Sequence, residues 1–220
     1  MMKDEVDLVT DFPASIADML MRDEVDIALV PVAAIPLLKE YHIITDYCIG
    51  SIGEVVSVCL FSDVPLEEIE TILLDYQSRS SVELLKILFK EFWKINPTLI
   101  SAKEGYENNI NGKTGGLVIG DRAFMQRKKS KYIYDLGTAW LAMTSLPFVF
   151  AAWVANKKLP EKFIADFNNA TGFGLQHLPE IIAANPYEDY DLEKYFAENI
   201  SFTLDDDKRK GMELYLNKIR

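Results

Sequence analysis

The sequence predicts an α/β fold, and three observations carry that expectation. Short, continuous apolar runs recur at Ile27–Val30, Val55–Phe61, Thr71–Leu74 and Gly115–Gly120. Helical periodicity lies between them, as in Val82, Leu85, Leu88, Phe89 and Phe92. Turn formers such as Pro31, Pro65 and Asn96–Pro97 stand where one pattern gives way to the other.

The elements follow in order. Asp11, Pro13 and the apolar Ile16, Met19 and Leu20 read as an N-capped amphipathic helix ending near Arg22. Ile27–Val30 has no polar interruption and is expected as a strand covered on both faces, stopped by Pro31. Val55–Phe61 and Thr71–Leu74 are β-rich, separated by Pro65 and an acidic helical turn at Glu67–Glu70. From Ile72–Leu74 the chain runs through Asp75, Tyr76, Gln77, Ser78 and Arg79 into the helix that Asn96–Pro97 closes. Gly115–Gly120 is a buried strand with Asp121 at its C-terminal end, where ligands of open α/β sheets gather. A helix over Thr138–Met143 precedes the apolar run Leu146–Trp153. The final third is helical, with Phe163 and Phe167 on one face, a break at Asn185–Pro186, a turn at Leu192–Phe196, and a capping box of Thr203 and Asp206 opening the last helix.

Composition excludes several functions. With 49% hydrophobic and 26% charged residues, a chain of 220 residues has the make-up of a folded soluble protein and can bury a sizeable core. Its longest apolar stretch, Leu146–Ala155, is half of the roughly 20 residues that a membrane span needs. The opening MMKDEVDLVTDF is acidic and has no apolar region of the secretory kind, so the expected compartment is the cytoplasm. Cys48 and Cys59 have no second pair and the chain has only two histidines, so reduced thiols are expected rather than a disulfide or a metal site. A net charge of −11 makes nucleic acid a poor partner, since phosphate neutralisation needs a clustered basic surface, and the run Arg127–Lys131 is short. An anionic ligand has to be held by local donors at helix starts.

Several segments together resemble the menaquinone-biosynthesis enzymes of the futalosine pathway, in their chorismate dehydratase branch. They are DEVDIALVPVAAIP (23–36), DYCIGSIGEVVSVCLFSDVPLEEI (46–69), LDYQSRSSVELLKIL (74–88), LVIGDRAF (117–124), YDLGTAWLAMTSLPFVFAAWVA (134–155) and ENISFTLDDDKRKGMELYL (198–216). Each is weak alone, and their order is what makes the resemblance specific. It implies a periplasmic-binding-protein type II fold: two α/β lobes with mixed sheets closing on a ligand in the cleft between them. The crossings would fall near Phe61–Pro65 and Ser145–Phe148, giving lobe one residues 1–62 plus 148–220 and lobe two residues 63–147. The implied reaction converts chorismate to 3-[(1-carboxyvinyl)oxy]benzoate and water, driven by aromatisation, with no metal and no organic cofactor.

The resemblance also implies site residues. Ser78, Arg79, Ser80 and Ser81 match the family's Ser-Arg-Thr-Ser turn, with Ser80 in place of Thr, at a strand-to-helix junction suited to gripping a carboxylate. The competing reading is a simple N-cap with a solvated Arg79. Ser57 corresponds to a polar position facing the cleft beside the reacting ring and is the catalytic candidate; alternation puts it on one sheet face with Val55 and Cys59, so a satisfied core hydroxyl competes. Pro31, Val32 and Ala33 are expected as a second rim of backbone donors, and Asp121 as a donor-orienting group or a cap. His42 and His177 lie outside these segments and are expected to be structural. The proton then falls to one of the substrate's own carboxylates. The family's opening strand and asparagine-bearing turn, roughly Val-Ser-Tyr-Leu-Asn-Thr-x-Pro, have no counterpart among these residues, and Val6–Val9 aligns with what the resemblance implies as the second strand, so weak or absent dehydratase activity is expected of the 220 as they stand. The alternatives are the sister enzyme 1,4-dihydroxy-6-naphthoate synthase, which uses a histidine, a non-catalytic small-carboxylate-binding protein, and an acidic regulatory ligand-binding domain.

Overall fold

A computed structural model describes Met2 and residues 4–220. In chain order its first half holds α1 (Pro13–Met21), β1 (Ile27–Pro31), β2 (His42–Ser51), β3 (Val58–Ser62), β4 (Thr71–Leu74), α2 (Ser80–Ile87) and β5 (Thr98–Ser101). Then come β6 (Thr114–Ile119), α3 (Asp121–Arg127), β7 (Tyr132–Asp135), α4 (Leu136–Thr144) and β8 (Phe148–Ala155). Helices α5 (Glu161–Gln176), α6 (Leu178–Ala184) and α7 (Leu192–Lys194) lead to β9 (Ser201–Thr203) and α8 (Asp206–Ile219).

The strands form two sheets, one ordered β1-β8-β2-β9 and the other β5-β4-β6-β3-β7. Pairing in the first is antiparallel throughout, with β8 between β1 and β2. The second is mixed: β4 runs parallel to β5 and β6, while β3 is antiparallel to both β6 and β7. The first passage between sheets runs through Ile52–Ser57, ahead of the Phe61–Pro65 crossing expected from the sequence, because Val58–Ser62 finds ladder partners on both sides within the second sheet. The chain returns through Ser145–Pro147.

The period-two geometry of a strand explains the core. Leu60 and Leu117 point into a large apolar cluster shared with Leu20, Val30, Leu84, Trp140, Phe148 and Tyr215, which draws on both sheets. Their neighbours Cys59, Phe61 and Val118 point the other way, onto Tyr106, Ile110 and Ala123. Each face of the second sheet's centre thus has its own cover, which is why β3 and β6 are buried along nearly their whole length. By contrast β1 alternates, with Ala28 and Val30 buried and Ile27 and Leu29 only partly so.

Several expected boundaries move. Asp11 does not cap α1: Phe12 takes the cap position and the Asp11 carboxylate accepts only the Phe12 amide. Val6–Val9 forms no strand, since a lone β-prone segment gains nothing without a ladder partner, and Leu8 stays 82% exposed. The strand expected from Val55 starts at Val58, because the Val55 and Val56 amides are given to a side chain instead of a neighbouring strand. The last helix is capped by Asp205, whose carboxylate takes the Lys208 amide, and not by Thr203, which ends β9. No helix among the described residues is long and apolar enough to cross a membrane.

Candidate functional site at the junction of the sheets

Because β4 and β6 are parallel and β3 opposes both β6 and β7, the C-terminal ends of β4, β6 and β7 share one edge with the start of β3. Asp75, Ser78–Ser81, Asp121, Asp135 and Ser57 therefore come from distant sequence to one rim of the second sheet. Such a rim is where open α/β sheets bind ligands.

The Ser78–Ser81 turn lies against the first sheet. The Ser78 hydroxyl accepts the Ser81 amide at 3.1 Å, closing the first turn of α2. Ser80 is buried, donates its hydroxyl to the Phe150 carbonyl of β8 at 2.9 Å and accepts the Ala33 amide at 3.2 Å. Its own carbonyl accepts the Tyr215 hydroxyl at 3.0 Å. Ser80 is thus a staple joining α2, β8, α8 and the 3-10 turn Val32–Leu37, and its one hydroxyl proton is committed to Phe150. Ala33 has spent its amide on that staple and Pro31 has none to give, which leaves Val32 as the backbone donor of the expected second rim. Arg79 pairs one guanidinium nitrogen with Asp18 of α1 at 2.7 Å, while the other, Nη1, is buried with no protein partner. An unpaired buried guanidinium nitrogen beside a helix start is a ready donor for an anion.

Ser57 is reached through a taut piece of chain. Val56 has φ +56°, and the Ser57 amide folds back onto the Val55 carbonyl at 2.6 Å. The Asp135 carboxylate accepts the Val55 and Val56 amides, the latter at 2.8 Å, and caps α4 by accepting the Thr138 amide at 2.9 Å. Gly137 lets α4 come this close, since a Cβ there would run into the Gly53 carbonyl. Arg127 donates to the Val56 carbonyl at 3.3 Å and pairs with Glu54 at 3.2 Å. The buried Ser57 hydroxyl lies 2.7 Å from the Tyr195 hydroxyl. Burial raises the Tyr195 pKa above the ordinary phenol range, against the opposing hydrogen bond to Ser57.

A charged network, not foreseen from the sequence, supports the same rim. The Asp75 carboxylate has no exposed surface; it accepts the Gln77 amide, the Ile119 amide, the Tyr106 hydroxyl and both oxygens' share of the Arg122 guanidinium. Arg122 also reaches Glu107 at 2.7 Å and the Gln77 side chain at 3.0 Å, with the Tyr76 and Tyr106 rings 5.0 and 5.8 Å from its centre. Desolvation and the Asp75 charge push the Tyr106 phenol far above its usual value. The network fixes the turn that delivers Ser78. Asp75 directly after an apolar strand was its one sequence signal; its partners are 31 and 47 positions away.

The remaining expected residues take other roles. Asp121 is the exposed first residue of α3 and makes no capping bond, because Gly120, at φ +63°, holds the cap position. His42 sits in β2 against Glu40 at 2.7 Å, and His177 bonds the Phe173 carbonyl and stacks on its ring, so neither reaches the rim. Two surface cavities also lie away from it. One of about 350 Å³ is bounded by Ile43–Asp46, Asn168 and Arg209, and one of about 490 Å³ by Lys86, Lys90, Lys94 and Leu99. Among the described residues no group of three His, Cys, Asp or Glu side chains is arranged to hold a metal ion.

Two α/β sheets joined by two passages, with the candidate groups at their junction, define the periplasmic-binding-protein class of fold. A crystal structure of a protein from Archaeoglobus fulgidus superposes with a TM-score of 0.71 at 12% identity, over 96% of this chain and 84% of that one. An ABC transporter structure from Parabacteroides distasonis gives 0.64 at 16% identity, over 96% and 80%. Within that class the chain belongs to the VitK2_biosynth family, described as menaquinone biosynthesis, whose model matches residues 1–220. It is also similar to a chorismate dehydratase of Thermus thermophilus, 27% identical over 232 residues, covering 92% of this chain and 83% of the relative.

Proposed function

We propose that this protein is a hydro-lyase that dehydrates chorismate to 3-[(1-carboxyvinyl)oxy]benzoate. The observation that carries the reading is the Ser78–Ser81 turn: a strand-to-helix junction of the family's pattern, seated between the two sheets, with a buried guanidinium nitrogen still unpaired. Similarity to the Thermus dehydratase over nearly the whole chain supports it.

In this reading one substrate carboxylate docks on Arg79 Nη1 at the half-buried turn that leads into α2, with Ser78 and Ser81 beside it. Ser80 shapes the turn without touching the ligand. Ser57 faces the ring from the opposite side of the rim and donates to the departing hydroxyl. The C–O bond breaks, the neighbouring C–H proton leaves, and that electron pair completes the aromatic ring, so orientation supplies much of the rate. The proton goes to a carboxylate of the substrate, since the two histidines lie elsewhere, and passes from there to the departing hydroxide, which leaves as water. A substrate esterified at its enolpyruvyl carboxylate should bind yet turn over far more slowly; turnover at the native rate refutes that route. The compartment implied is the cytoplasm.

Purified protein incubated with chorismate should yield the benzoate product by chromatography, and Arg79→Ala should raise KM. Binding without turnover would favour a non-catalytic small-carboxylate-binding protein. Neither binding nor turnover would overturn the assignment.

A further inference from the structure

We infer that Tyr195 is a positioning residue, which turns the Ser57 hydroxyl so that its proton faces the cleft. The inference rests on the dehydratase reading and deepens it, since nothing in the family resemblance assigns a role to residue 195.

The backbone before Ser57 is built to hold one geometry. A β-branched residue at φ +56°, as Val56 is, pays a steric penalty and persists only where surrounding contacts over-determine it. Those contacts are present: two amides on Asp135, the Val56 carbonyl on Arg127, the Ser57 amide on Val55, and the Gly120 amide on the Ser57 carbonyl at 2.8 Å. With the main chain fixed, only the side-chain torsion of Ser57 remains free. Tyr195 takes that freedom at 2.7 Å.

Tyr195 is itself anchored. It opens the π-helical turn Tyr195–Asn199, a geometry enriched at functional sites. Asn199 at the end of that turn donates to the Glu54 carbonyl at 3.1 Å, so the turn clamps the first inter-sheet passage at two points. Phe124 meets the Tyr195 ring edge-on at 5.2 Å and Phe196 lies 4.9 Å away. The geometry admits either hydroxyl as donor; a phenol is more acidic than an alkyl alcohol, so in the proposed pair the tyrosine donates and the serine accepts. Ser57 then keeps its own proton for a ligand oxygen. A serine that served only to satisfy a core would have no need of a strained turn and a second, distant clamp.

The test is a double-mutant cycle on chorismate turnover with Tyr195→Phe and Ser57→Ala. Phe keeps the ring and its packing, so melting temperatures should stay close to wild type. Tyr195→Phe should lower kcat by about tenfold, the factor carried by one ordinary hydrogen bond, with KM nearly unchanged. In the Ser57→Ala background the same change should have no further effect. A merely structural tyrosine would lower the rate by the same factor in both backgrounds, and that result, or an unaltered kcat in Tyr195→Phe, overturns the inference while leaving the dehydratase reading intact. A wild-type protein that neither binds nor converts chorismate sinks both.

Discussion

Replacing Arg122 with Met should destabilise the protein by an amount that the Asp75 network sets. The substitution keeps length and apolar stem but leaves a carboxylate with no exposed surface facing its remaining donors without a counter-charge. Removing one partner of a buried ion pair costs about 3–5 kcal/mol. Asp75 retains two backbone amides and the Tyr106 hydroxyl, and the Arg122 side chain is itself 27% exposed, so the expected loss is at the low end, about 3 kcal/mol. For a chain of this size each kcal/mol moves the melting temperature by about 2–4 °C, which predicts a fall of about 6–12 °C by calorimetry. Arg122→Lys should recover part of the loss, because it restores charge but not the fork that reaches Asp75, Glu107 and Gln77 together. The decisive comparison is Arg122→Met with Asp75→Asn, which removes both charges and should melt higher than Arg122→Met alone. A single variant within about 2 °C of wild type, or a double variant lower than the single, would refute the claim that this charge pair holds the rim together.

Four further outcomes follow. Ser80→Ala strands the Ala33 amide and the Phe150 carbonyl and should cost about 1–3 kcal/mol in urea unfolding, whereas Ser81→Ala should cost less and act mainly on KM. Cys48, whose pKa burial pushes up to about 12, and Cys59, raised well above the thiol range by burial and by Asp135, should both resist a thiol-specific reagent at pH 8 until the protein is unfolded. Burial alone would raise the Asp205 pKa, but hydrogen bonds from Lys208 bring it below the carboxylate norm, so its stabilising contribution is present above about pH 4 and is lost as acid protonates it; Lys208→Met should flatten that acid limb in melting curves. Gly211→Ala would drive a methyl group into the Pro147 carbonyl where α8 crosses the return passage, and circular dichroism melting should report a loss larger than the ordinary helix propensity gain of about 1 kcal/mol.

The sequence reveals those parts of this molecule that rest on neighbours in the chain. The α2 periodicity and the Ser78–Ser81 junction could be read because strand, turn and helix occupy consecutive residues. The strand β2 was missed because its pairing with β8 is broken by register shifts, so His42–Ser51 shows neither clean alternation nor an unbroken apolar run. β9 has three residues, too few for periodicity to register, and β7, Tyr-Ile-Tyr-Asp, lacks the aliphatic run that marks β4 at the same length. The site residues that went unseen share a different cause: Asp135 and Tyr195 act on Val56 and Ser57 from 79 and 138 positions away, and nothing local in either residue's sequence specifies its partner. Ser80 was recognised as part of the junction, but its role changed once Phe150 and Ala33 were seen to use both sides of its hydroxyl.

The position of β8 between β1 and β2 governs the order in which the molecule can be assembled. On the ribosome the strands of the second sheet are all synthesised by residue 135, whereas β1 and β2 have no mutual ladder and wait for a strand made about a hundred residues later. Nascent chains should therefore complete the 58–135 sheet first, and the two early strands must be kept from foreign edges until Phe148–Ala155 slots between them.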